Sequence, residues 1–193
     1  MIEQLYNYYK TRPSDINEHL EILFRYGSEC DNITEMGVRE GESTCALLYS
    51  KPKKMTSYDL NDKYFSSINN INEDCFRSSI DFRFILGDTL LINIEETELL
   101  FIDTLHTYNQ LSAELEKHND KVSKYIILHD TTTFGYQDEN IYSHASEVVK
   151  NMKKDKQGLF TAVMDFIGRN KKWIIHERFE NNNGLTILKR ISN

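Results

Sequence analysis

The chain is poor in proline and in cysteine, with 2 prolines and 3 cysteines among 193 residues. Because no linker or low-complexity stretch divides it, the sequence is expected to form a single domain over residues 1–193. The cysteines, Cys30, Cys45 and Cys75, are far apart and odd in number, so they give neither a zinc-ligand spacing nor a disulfide framework. Unpaired cysteines are typical of a reducing compartment, which indicates a cytoplasmic protein, or one of the host cytoplasm if the source is viral.

Positive charge and long apolar runs are also scarce. The 23 lysines and arginines are outnumbered by 30 aspartates and glutamates, which gives a net charge of −7. This balance argues against nucleic acid as a partner, because binding to a phosphate backbone depends on dense basic residues. No apolar run approaches the roughly 18 residues that a membrane-spanning helix requires, and the N-terminus has no basic stretch followed by an apolar one. We therefore expect neither a membrane protein nor a signal peptide.

Short apolar runs alternate with helical periodicity along the chain, which is typical of an α/β fold. The predicted strands are Asn32–Met36, Lys54–Asp59, Phe82–Leu86, Leu99–Asp103, Lys124–His129, Lys172–Phe179 and Leu185–Arg190. The predicted helices are Asp15–Tyr26, Ser43–Ser50, Lys63–Cys75, Tyr108–His118, His144–Lys153 and Leu159–Arg169. This order predicts a doubly wound, Rossmann-like sheet of seven strands that is mostly parallel and ends in an antiparallel strand pair.

The two ends of the chain carry their own signals. Asp15 is predicted to cap the first helix, and residues 1–30 are expected to form a helical segment that packs over the ligand site. The last two strands are separated by Asn181–Gly184, a run of residues that favour a turn. Ligands of such sheets bind beyond the carboxyl ends of the parallel strands, so the residues that follow each strand are the candidates for a site.

The turn after the first strand carries a Glu-x-Gly-x-x-x-Gly pattern that runs from Glu35 to Gly41. Gly37 can adopt a positive φ and lacks a Cβ, so a ligand can approach the backbone there. The helix that follows begins with free amide groups. The second strand ends in Asp59, whose two carboxylate oxygens suit the hydroxyls of a ribose. The pattern predicts a nucleoside site, although an ordinary tight turn and a helix-capping aspartate would show the same residues.

The third strand ends at Gly87-Asp88-Thr89, where an acid commonly faces the amino group of adenine in this fold. A turn or helix cap at Asp88 is the alternative. The glycine spacing in the first turn differs from the Gly-x-Gly-x-x-Gly of dinucleotide-binding proteins. Because no second domain is available for a substrate either, the sequence disfavours an NAD-dependent oxidoreductase.

Two acids follow buried strands that should be neighbours, Asp103 after the fourth and Asp130 after the fifth. Two carboxylates at adjacent strand ends can share a hard divalent cation such as Mg²⁺, and such a cation would bind a substrate hydroxyl and stabilise its alkoxide. His106 or His129 could take the hydroxyl proton, because an unperturbed imidazole has a pKa near ~6.5. The alternative is that Asp103 only orients the cofactor and that Asp130 only caps a loop.

Three further residues are candidates for contact with the substrate. His19 lies in the helix before the first strand and reaches a substrate if that helix packs over the site, with a surface or core position as the alternative. His129 is a candidate only if its side chain faces the site, and strand alternation favours Asp130 in that role. Tyr108 lies at the start of a predicted helix, two positions after His106.

These segments occur in the order and spacing of a known family. The segments Glu35–Thr44, Ser57–Asp59, Leu86–Asp88, Phe101–Tyr108 and Leu128–Thr131 resemble the motifs of class I methyltransferases that depend on S-adenosylmethionine (SAM). The branch they resemble most contains macrolide-sugar and rhamnosyl O-methyltransferases and the cephalosporin hydroxylase-like proteins, the methyltransferase domain 24 type. The resemblance extends from about Asp15 to Arg190.

The resemblance implies a cofactor and the residues that bind it. SAM would be the methyl donor, held by Glu35, Met36, Gly37, Gly41, Ser43, Thr44, Asp59, Leu60, Asp88, Thr89 and Asp103. Many members of the wider fold bind Mg²⁺ through the acids that match Asp103 and Asp130, which would make Mg²⁺ a second cofactor. Thr104 replaces the glycine of the branch's Ile-Asp-Gly-x-His-x-Tyr motif, and Leu105 is apolar where a second acid is frequent, so a cage of three acids is not expected.

The function expected from the sequence is O-methylation of a small molecule or carbohydrate, with SAM as the donor and with His106, Asp103 and Asp130 as catalytic residues. The expectation of a sugar acceptor rests on the resemblance alone. A homo-oligomer is compatible with the expected function. Two alternatives stay open. One is a metal-independent N-methyltransferase of small molecules, and the other is a SAM- or nucleoside-binding module without catalysis.

Overall fold

A seven-stranded sheet forms the centre of the computed structural model, which describes residues 1–63, 71–141 and 145–191. The strands are β1 Asn32–Met36, β2 Lys54–Asp59, β3 Asp81–Leu86, β4 Thr97–Ile102, β5 Val122–His129, β6 Trp173–Phe179 and β7 Leu185–Arg190. The described helices are α1 Ile2–Thr11, α2 Leu20–Gly27, α3 Glu42–Tyr49, α4 Ile71–Arg77, α5 Tyr108–His118, α6 Glu147–Lys150 and α7 Leu159–Arg169. Short 3₁₀ turns at Asn17–His19 and Asn119–Lys121 precede α2 and follow α5.

The order of the strands across the sheet is β3-β2-β1-β4-β5-β7-β6. Strands β1 to β5 run parallel, whereas β7 is antiparallel to both β5 and β6. The mostly parallel sheet with an antiparallel C-terminal pair that the sequence predicts is therefore confirmed. The strand order reverses between β1 and β4, and in such sheets this reversal opens a crevice at the carboxyl ends of the strands.

The register brings the carboxyl ends of four strands to one edge of the sheet. Met36 at the end of β1 pairs with Tyr58 of β2 and with Ile102 of β4. Ile102 in turn pairs with Leu128 of β5. The residues that follow these positions are Gly37, Asp59, Asp103 and the pair His129-Asp130. The residues that the sequence singles out therefore emerge side by side.

Both faces of the sheet are covered, which explains the continuously apolar central strands. Leu99, Leu100, Phe101 and Ile102 of β4 are each 3% exposed or less. Leu99 and Phe101 belong to the core formed with α1, α2 and α3, whereas Leu100 and Ile102 belong to the core formed with α5 and α7. Successive side chains of the strand thus serve opposite faces, and the strand delivers Asp103 at the edge between them.

Helix α1 lies in the segment of residues 1–30 that is expected to be helical, but the sequence predicts no bounds for a helix before Asp15. Its segment contains three tyrosines and one asparagine, which have low helix propensity, so the local signal is weak. The helix forms because Ile2, Tyr6 and Tyr9 recur at helical spacing and are buried against the rest of the core. Tertiary packing therefore outweighs the propensity of the individual residues.

The predicted helix Asp15–Tyr26 is also corrected. The chain forms a 3₁₀ turn and then α2, which begins at Leu20 and extends to Gly27. Asp15 is not the N-cap, because its carboxylate forms an ion pair with Arg39 at 2.5 Å.

Two other predicted helices fall partly outside the described residues. The predicted helix Lys63–Cys75 includes residues 64–70, and its described part, α4, continues to Arg77. The predicted helix His144–Lys153 begins outside the described part, and α6 within it is shorter. The Ser146 hydroxyl caps α6 by accepting a hydrogen bond from the Val148 amide. None of the helices in the described ranges is long and apolar enough to cross a membrane.

Candidate functional site

A cavity of about 880 Å³ opens at the carboxyl edge of the sheet. Its wall includes predicted site residues from every parallel strand end, namely Gly37, Ser43, Asp59, Leu60, Asp88, Thr89, Asp103, His106 and Asp130. Residues 12–16, between α1 and α2, also border it. The wall formed by the described residues does not include Glu35, Met36, Gly41, Thr44, His19, His129 or Tyr108.

The glycine turn is fixed by a close backbone contact. Gly37 has a φ of +87°, and a Cβ added there would lie 1.9 Å from the carbonyl oxygen of Asp103. The Gly37 amide donates a hydrogen bond to the Tyr58 carbonyl, and the Asp103 amide donates to the Met36 carbonyl. Gly41, at a φ of +82°, then starts α3. The turn between β1 and α3 therefore requires glycine at position 37.

Glu35 lies behind this turn rather than in the cavity. Its buried carboxylate accepts hydrogen bonds from the hydroxyls of Ser43 at 2.7 Å, Thr44 at 2.8 Å and Ser57 at 2.6 Å. Strand alternation directs Glu35 towards α3, while its neighbour Met36 is buried in the core of the opposite face. The expectation that Glu35, Met36 and Thr44 contact the cofactor directly is therefore corrected, because these residues support the turn from beneath.

Replacing Glu35 with glutamine is expected to change how stability depends on pH. Burial raises the pKa of Glu35 to about 7 from an ordinary 4.5, even though its hydrogen bonds oppose the rise. The folded protein thus keeps a proton that the unfolded chain has released, so this group makes the free energy of unfolding fall as pH rises from 4.5 to about 7. Urea titrations should show Glu35→Gln gaining roughly 3 kcal/mol relative to wild type over this interval.

The control for this measurement is Glu116→Gln, which removes an exposed glutamate on α5. Its difference from wild type should stay constant over the same pH interval. A constant difference for Glu35→Gln as well would mean that Glu35 ionises in the folded protein as it does in the unfolded chain.

Asp59 stabilises the turn after Gly37 from the cavity side. One carboxylate oxygen, Oδ2, accepts hydrogen bonds from the amides of Val38 at 2.8 Å and Arg39 at 3.1 Å. The other, Oδ1, accepts from the Asn61 amide at 3.1 Å. A carboxylate offers about four lone-pair positions, so Asp59 keeps acceptor capacity towards the cavity that it borders.

A buried polar network forms the wall next to the end of β3. Glu114 of α5 is fully buried, and its carboxylate accepts from the hydroxyls of Thr89 at 2.6 Å and Thr104 at 2.9 Å. The Gln110 side-chain amide nitrogen donates to Glu114 at 2.7 Å and to the Thr89 hydroxyl at 3.1 Å. Burial raises the pKa of Glu114 to about 7 against the effect of these bonds.

This network leaves one acceptor for a ligand. Within the described residues, the carbonyl oxygen of the Gln110 side chain has no hydrogen-bond partner, and Gln110 borders the cavity. Sequence reasoning missed both Gln110 and Glu114. The available signal was their spacing with His118, since polar residues at every fourth position mark one face of α5, and all three are buried.

His106 lies among three carboxylates at the ends of β4 and β5. Its Nε2 is 2.8 Å from Oδ2 of Asp130 and 3.3 Å from Oδ1 of Asp103. Its Nδ1 is 3.2 Å from Oε1 of Glu139. The ring stacks on Phe134, with the ring centroids 4.8 Å apart and the planes 16° from parallel. Glu139 lies in the irregular segment after β5. The sequence did not point to it, because this segment has no periodic pattern.

His129 lies on the far side of the same carboxylates. Its Nδ1 is 3.4 Å from Oδ2 of Asp103 and 3.3 Å from Oδ2 of Asp130, and its Nε2 is 3.3 Å from the Asn182 carbonyl oxygen. The side chain is 1% exposed. The prediction that His129 contacts substrate is corrected, because alternation along β5 turns its ring beneath the cavity wall while Asp130 borders the cavity.

The carboxylates determine the charge state of both imidazoles. Burial lowers the pKa of His106, but the neighbouring carboxylates of Asp103, Asp130 and Glu139 outweigh burial and raise it to about 12. Burial also lowers the pKa of His129, but the charge of Asp103 outweighs burial and raises the pKa to about 10. The His106 ring is therefore protonated in this arrangement, and it can accept a proton only when another positive charge offsets its carboxylate neighbours.

The other two predicted substrate contacts are corrected as well. His19 is fully buried, and its Nε2 lies 2.9 Å and 3.1 Å from the carbonyl oxygens of Asn181 and Asn182. It ties the N-terminal segment to the turn between β6 and β7. The Tyr108 hydroxyl donates to Asp165 of α7 at 2.7 Å, so this side chain connects α5 to α7 rather than facing the cavity.

Solved structures share this fold. A methyltransferase of Podospora anserina bound to S-adenosylhomocysteine (SAH) is 12% identical to this chain. Its TM-score is 0.64, and the match covers 99% of this chain and 88% of that chain. A methyltransferase of Geobacter sulfurreducens is 11% identical, with a TM-score of 0.61 over 99% and 86%. An O-methyltransferase of Bacillus cereus in complex with SAH is 15% identical, with a TM-score of 0.59 over 98% and 90%. No family model matches the sequence of the chain, and no curated protein does.

The chain has the fold of the class I methyltransferases. The strand order and the antiparallel C-terminal pair carry this conclusion together with the structural similarity. The resemblance read from the sequence is thereby confirmed at the level of the fold. Identities of 15% or less leave the chemistry to be argued from the side chains of the cavity.

Proposed function

We propose that this protein is a SAM-dependent O-methyltransferase that acts on a hydroxyl group of a small molecule, with sugars as the acceptor class. The observation that carries the proposal is the order of side chains along one cavity. Asp88, Asp59, Gly37, Asp103 and Asp130 lie at the carboxyl ends of β3, β2, β1, β4 and β5, which is also the order of these strands across the sheet. A nucleoside-binding wall thus continues directly into a cluster of acids and histidine.

The donor half of the proposed site lies between the ends of β3 and β4. Asp88 and the Gln110 carbonyl oxygen offer acceptors suited to the amino group of adenine, and Asp59 offers acceptors suited to the ribose hydroxyls. Gly37 lets the rest of the donor pass close to the backbone. Asp103 would then lie nearest to the sulfonium, whose positive charge its carboxylate complements.

Replacing Gln110 with methionine is expected to reduce discrimination between adenine and hypoxanthine ligands. Methionine has a similar length but cannot accept a hydrogen bond from the adenine amino group. The ratio of the Kd for S-inosylhomocysteine, which lacks this amino group, to the Kd for S-adenosylhomocysteine should fall by about 3- to 10-fold, the effect of one hydrogen bond. Calorimetric titration of both ligands measures this ratio, and an unchanged ratio would remove Gln110 from the adenine site.

The acceptor half lies at the ends of β4 and β5, where His106 would take the proton of the acceptor hydroxyl at Nε2. The stacked Phe134 and the nearby Glu139 fix the plane of the ring, which borders the cavity. A divalent cation held by Asp103 and Asp130 would supply a Lewis acid and would offset the carboxylate charge that keeps His106 protonated. The residues present fit such an ion, because ligand atoms of Asp103, His129 and Asp130 all lie within 4.8 Å of one another.

The test combines binding with label transfer. Calorimetry should detect binding of SAM and S-adenosylhomocysteine, and tritium from methyl-labelled SAM should appear in hydroxyl-bearing sugars of an acceptor panel. Failure of both cofactors to bind would overturn the proposal. Transfer confined to amine acceptors and insensitive to a chelator would instead identify an N-methyltransferase, and binding with no transfer to any acceptor would identify a binding module.

A further inference from the structure

We propose that Glu114 is a positioning residue that selects adenine in the methyl donor, because it fixes the side-chain amide of Gln110 with its carbonyl oxygen available to the cavity. The inference rests on the proposed function and deepens it. An amide fixed in this sense presents an acceptor to the amino group of adenine. A reversed amide would instead present donors, which suit the ring oxygen of hypoxanthine.

Glu114 acts from behind the cavity wall. It is 0% exposed, and the wall formed by the described residues includes Gln110 but not Glu114. The two residues lie four positions apart on α5, a spacing that places side chains of a helix next to each other. Any effect of Glu114 on a ligand must therefore pass through the side chains between them.

Both amide hydrogens of Gln110 have acceptors within the buried network. Nε2 lies 2.7 Å from Oε1 of Glu114 and 3.1 Å from the hydroxyl oxygen of Thr89. The Thr89 hydroxyl in turn donates to Oε1 of Glu114 at 2.6 Å. Since Nε2 carries two hydrogens, this triangle uses both of them and leaves the Gln110 carbonyl oxygen without a partner among the described residues.

The reversed amide has no comparable arrangement. It would place the Gln110 carbonyl oxygen 2.7 Å from a carboxylate oxygen of Glu114, where two acceptors repel each other. The Thr89 hydroxyl can donate to the reversed oxygen only by giving up its 2.6 Å bond to Glu114. A buried carboxylate that loses both donors is costly. The acceptor supplied by Glu114 therefore determines which end of the amide is left for a ligand.

The triangle is anchored on two sides. The Thr104 hydroxyl lies 2.9 Å from each carboxylate oxygen of Glu114, and Nε2 of His118 lies 2.8 Å from the Thr89 carbonyl oxygen. These contacts join α5 to the segments after β3 and β4 that border the cavity. A proton bound at Oε2 of Glu114 is directed at Thr104, so Oε1 stays an acceptor for Gln110 in either charge state.

The test measures how well a Glu114→Gln variant discriminates between S-adenosylhomocysteine and S-inosylhomocysteine, which carries hypoxanthine. The substitution keeps the size of the side chain but offers Gln110 an amide that can either donate or accept. The ratio of the Kd for the inosine ligand to the Kd for the adenosine ligand should fall by about 3- to 10-fold, the effect of one hydrogen bond. A purely structural role would weaken both ligands equally, and the unchanged ratio would overturn the inference.

Two further variants assign the effect to Gln110. Glu116→Gln alters an exposed glutamate of the same helix, so it is the matched control and should keep the wild-type ratio. The double variant Glu114→Gln with Gln110→Met should give the ratio of Gln110→Met alone within about twofold, because Glu114 acts through the amide that methionine removes. A larger fall in the double variant would show another route and would overturn the inference.

A measurement on wild-type protein covers the case in which Glu114→Gln does not fold. Gln110 is buried, whereas the other three glutamines of the chain, Gln4, Gln137 and Gln157, are exposed. In ligand-free protein labelled with [¹⁵N]glutamine, one pair of side-chain amide protons should therefore exchange slowly with solvent. Rapid exchange of all four pairs would overturn the inference, because a reversed amide directs its protons to the cavity.

The same titrations separate the inference from the proposed function. Failure of wild-type protein to bind either nucleoside would overturn the proposed function, and with it the inference. Tight binding of S-adenosylhomocysteine, combined with a wild-type ratio in Glu114→Gln, would overturn the inference alone.

Discussion

Replacing His106 with alanine is expected to lower kcat for methyl transfer by about 10²- to 10⁴-fold, the contribution typical of a positioned acid–base group. The expectation follows from position: Nε2 faces Asp103 and Asp130, and the ring borders the cavity. Among the described residues, His106 is the histidine that borders the cavity. The Kd for SAM should stay within about threefold of wild type, because the effect concerns the transferring step.

The comparison uses the acceptor found in the panel and the control variant His176→Ala, whose side chain is exposed on β6. The control should keep the wild-type kcat. A kcat for His106→Ala within about tenfold of wild type would mean that another group removes the proton, or that removal is not needed in the rate-limiting step.

Replacing Gly37 with alanine is expected to have the largest effect on stability. The new Cβ would lie 1.9 Å from the Asp103 carbonyl oxygen, and the backbone φ of +87° is itself unfavourable for alanine. The new Cβ is bonded directly to the backbone, and the carbonyl oxygen is part of it, so no side-chain rotation relieves the overlap. The ends of β1 and β4 must separate, and we expect a loss of about 3 kcal/mol or more in the free energy of unfolding. Any protein that folds should have lost SAM binding.

Gly168→Ala is the matched control for this variant. Gly168 lies in α7, and a Cβ added there has no atom within 4 Å. Alanine should therefore raise the free energy of unfolding by about 0.5–1 kcal/mol, since it favours the helix. Urea denaturation followed by circular dichroism measures both. A Gly37→Ala protein as stable as wild type would contradict the close contact between the two strand ends.

The acids at the strand ends were predictable from local pattern. Asp103 follows a run of apolar residues, Asp130 follows such a run and His129, and Asp59 ends the second predicted strand. The rule that ligands bind at the carboxyl edge of parallel strands marks these positions as the site. The sequence could not fix the direction of each side chain. Glu35 was expected in the cavity, but it faces the hydroxyls of Ser43, Thr44 and Ser57 behind the turn.

Long-range partners were the other part that local pattern could not supply. Asp15 reads as a helix cap in its own segment, and only the fold brings it to Arg39. Glu139 reaches His106 from an irregular segment, and Gln110 reaches Thr89 from the polar face of α5. These contacts depend on how separate elements pack, so no window of neighbouring residues contains them.

A crystal structure of the protein grown with S-adenosylhomocysteine and Mn²⁺ tests the central claim most directly. We expect the adenine beside Asp88 and Gln110, the ribose hydroxyls at Asp59, and the thioether sulfur near Asp103 with an open path to His106. The ion should lie between Asp103 and Asp130. Binding of the nucleoside elsewhere, or an undisturbed cavity at saturating ligand, would contradict the account of this edge as a methyl-transfer site.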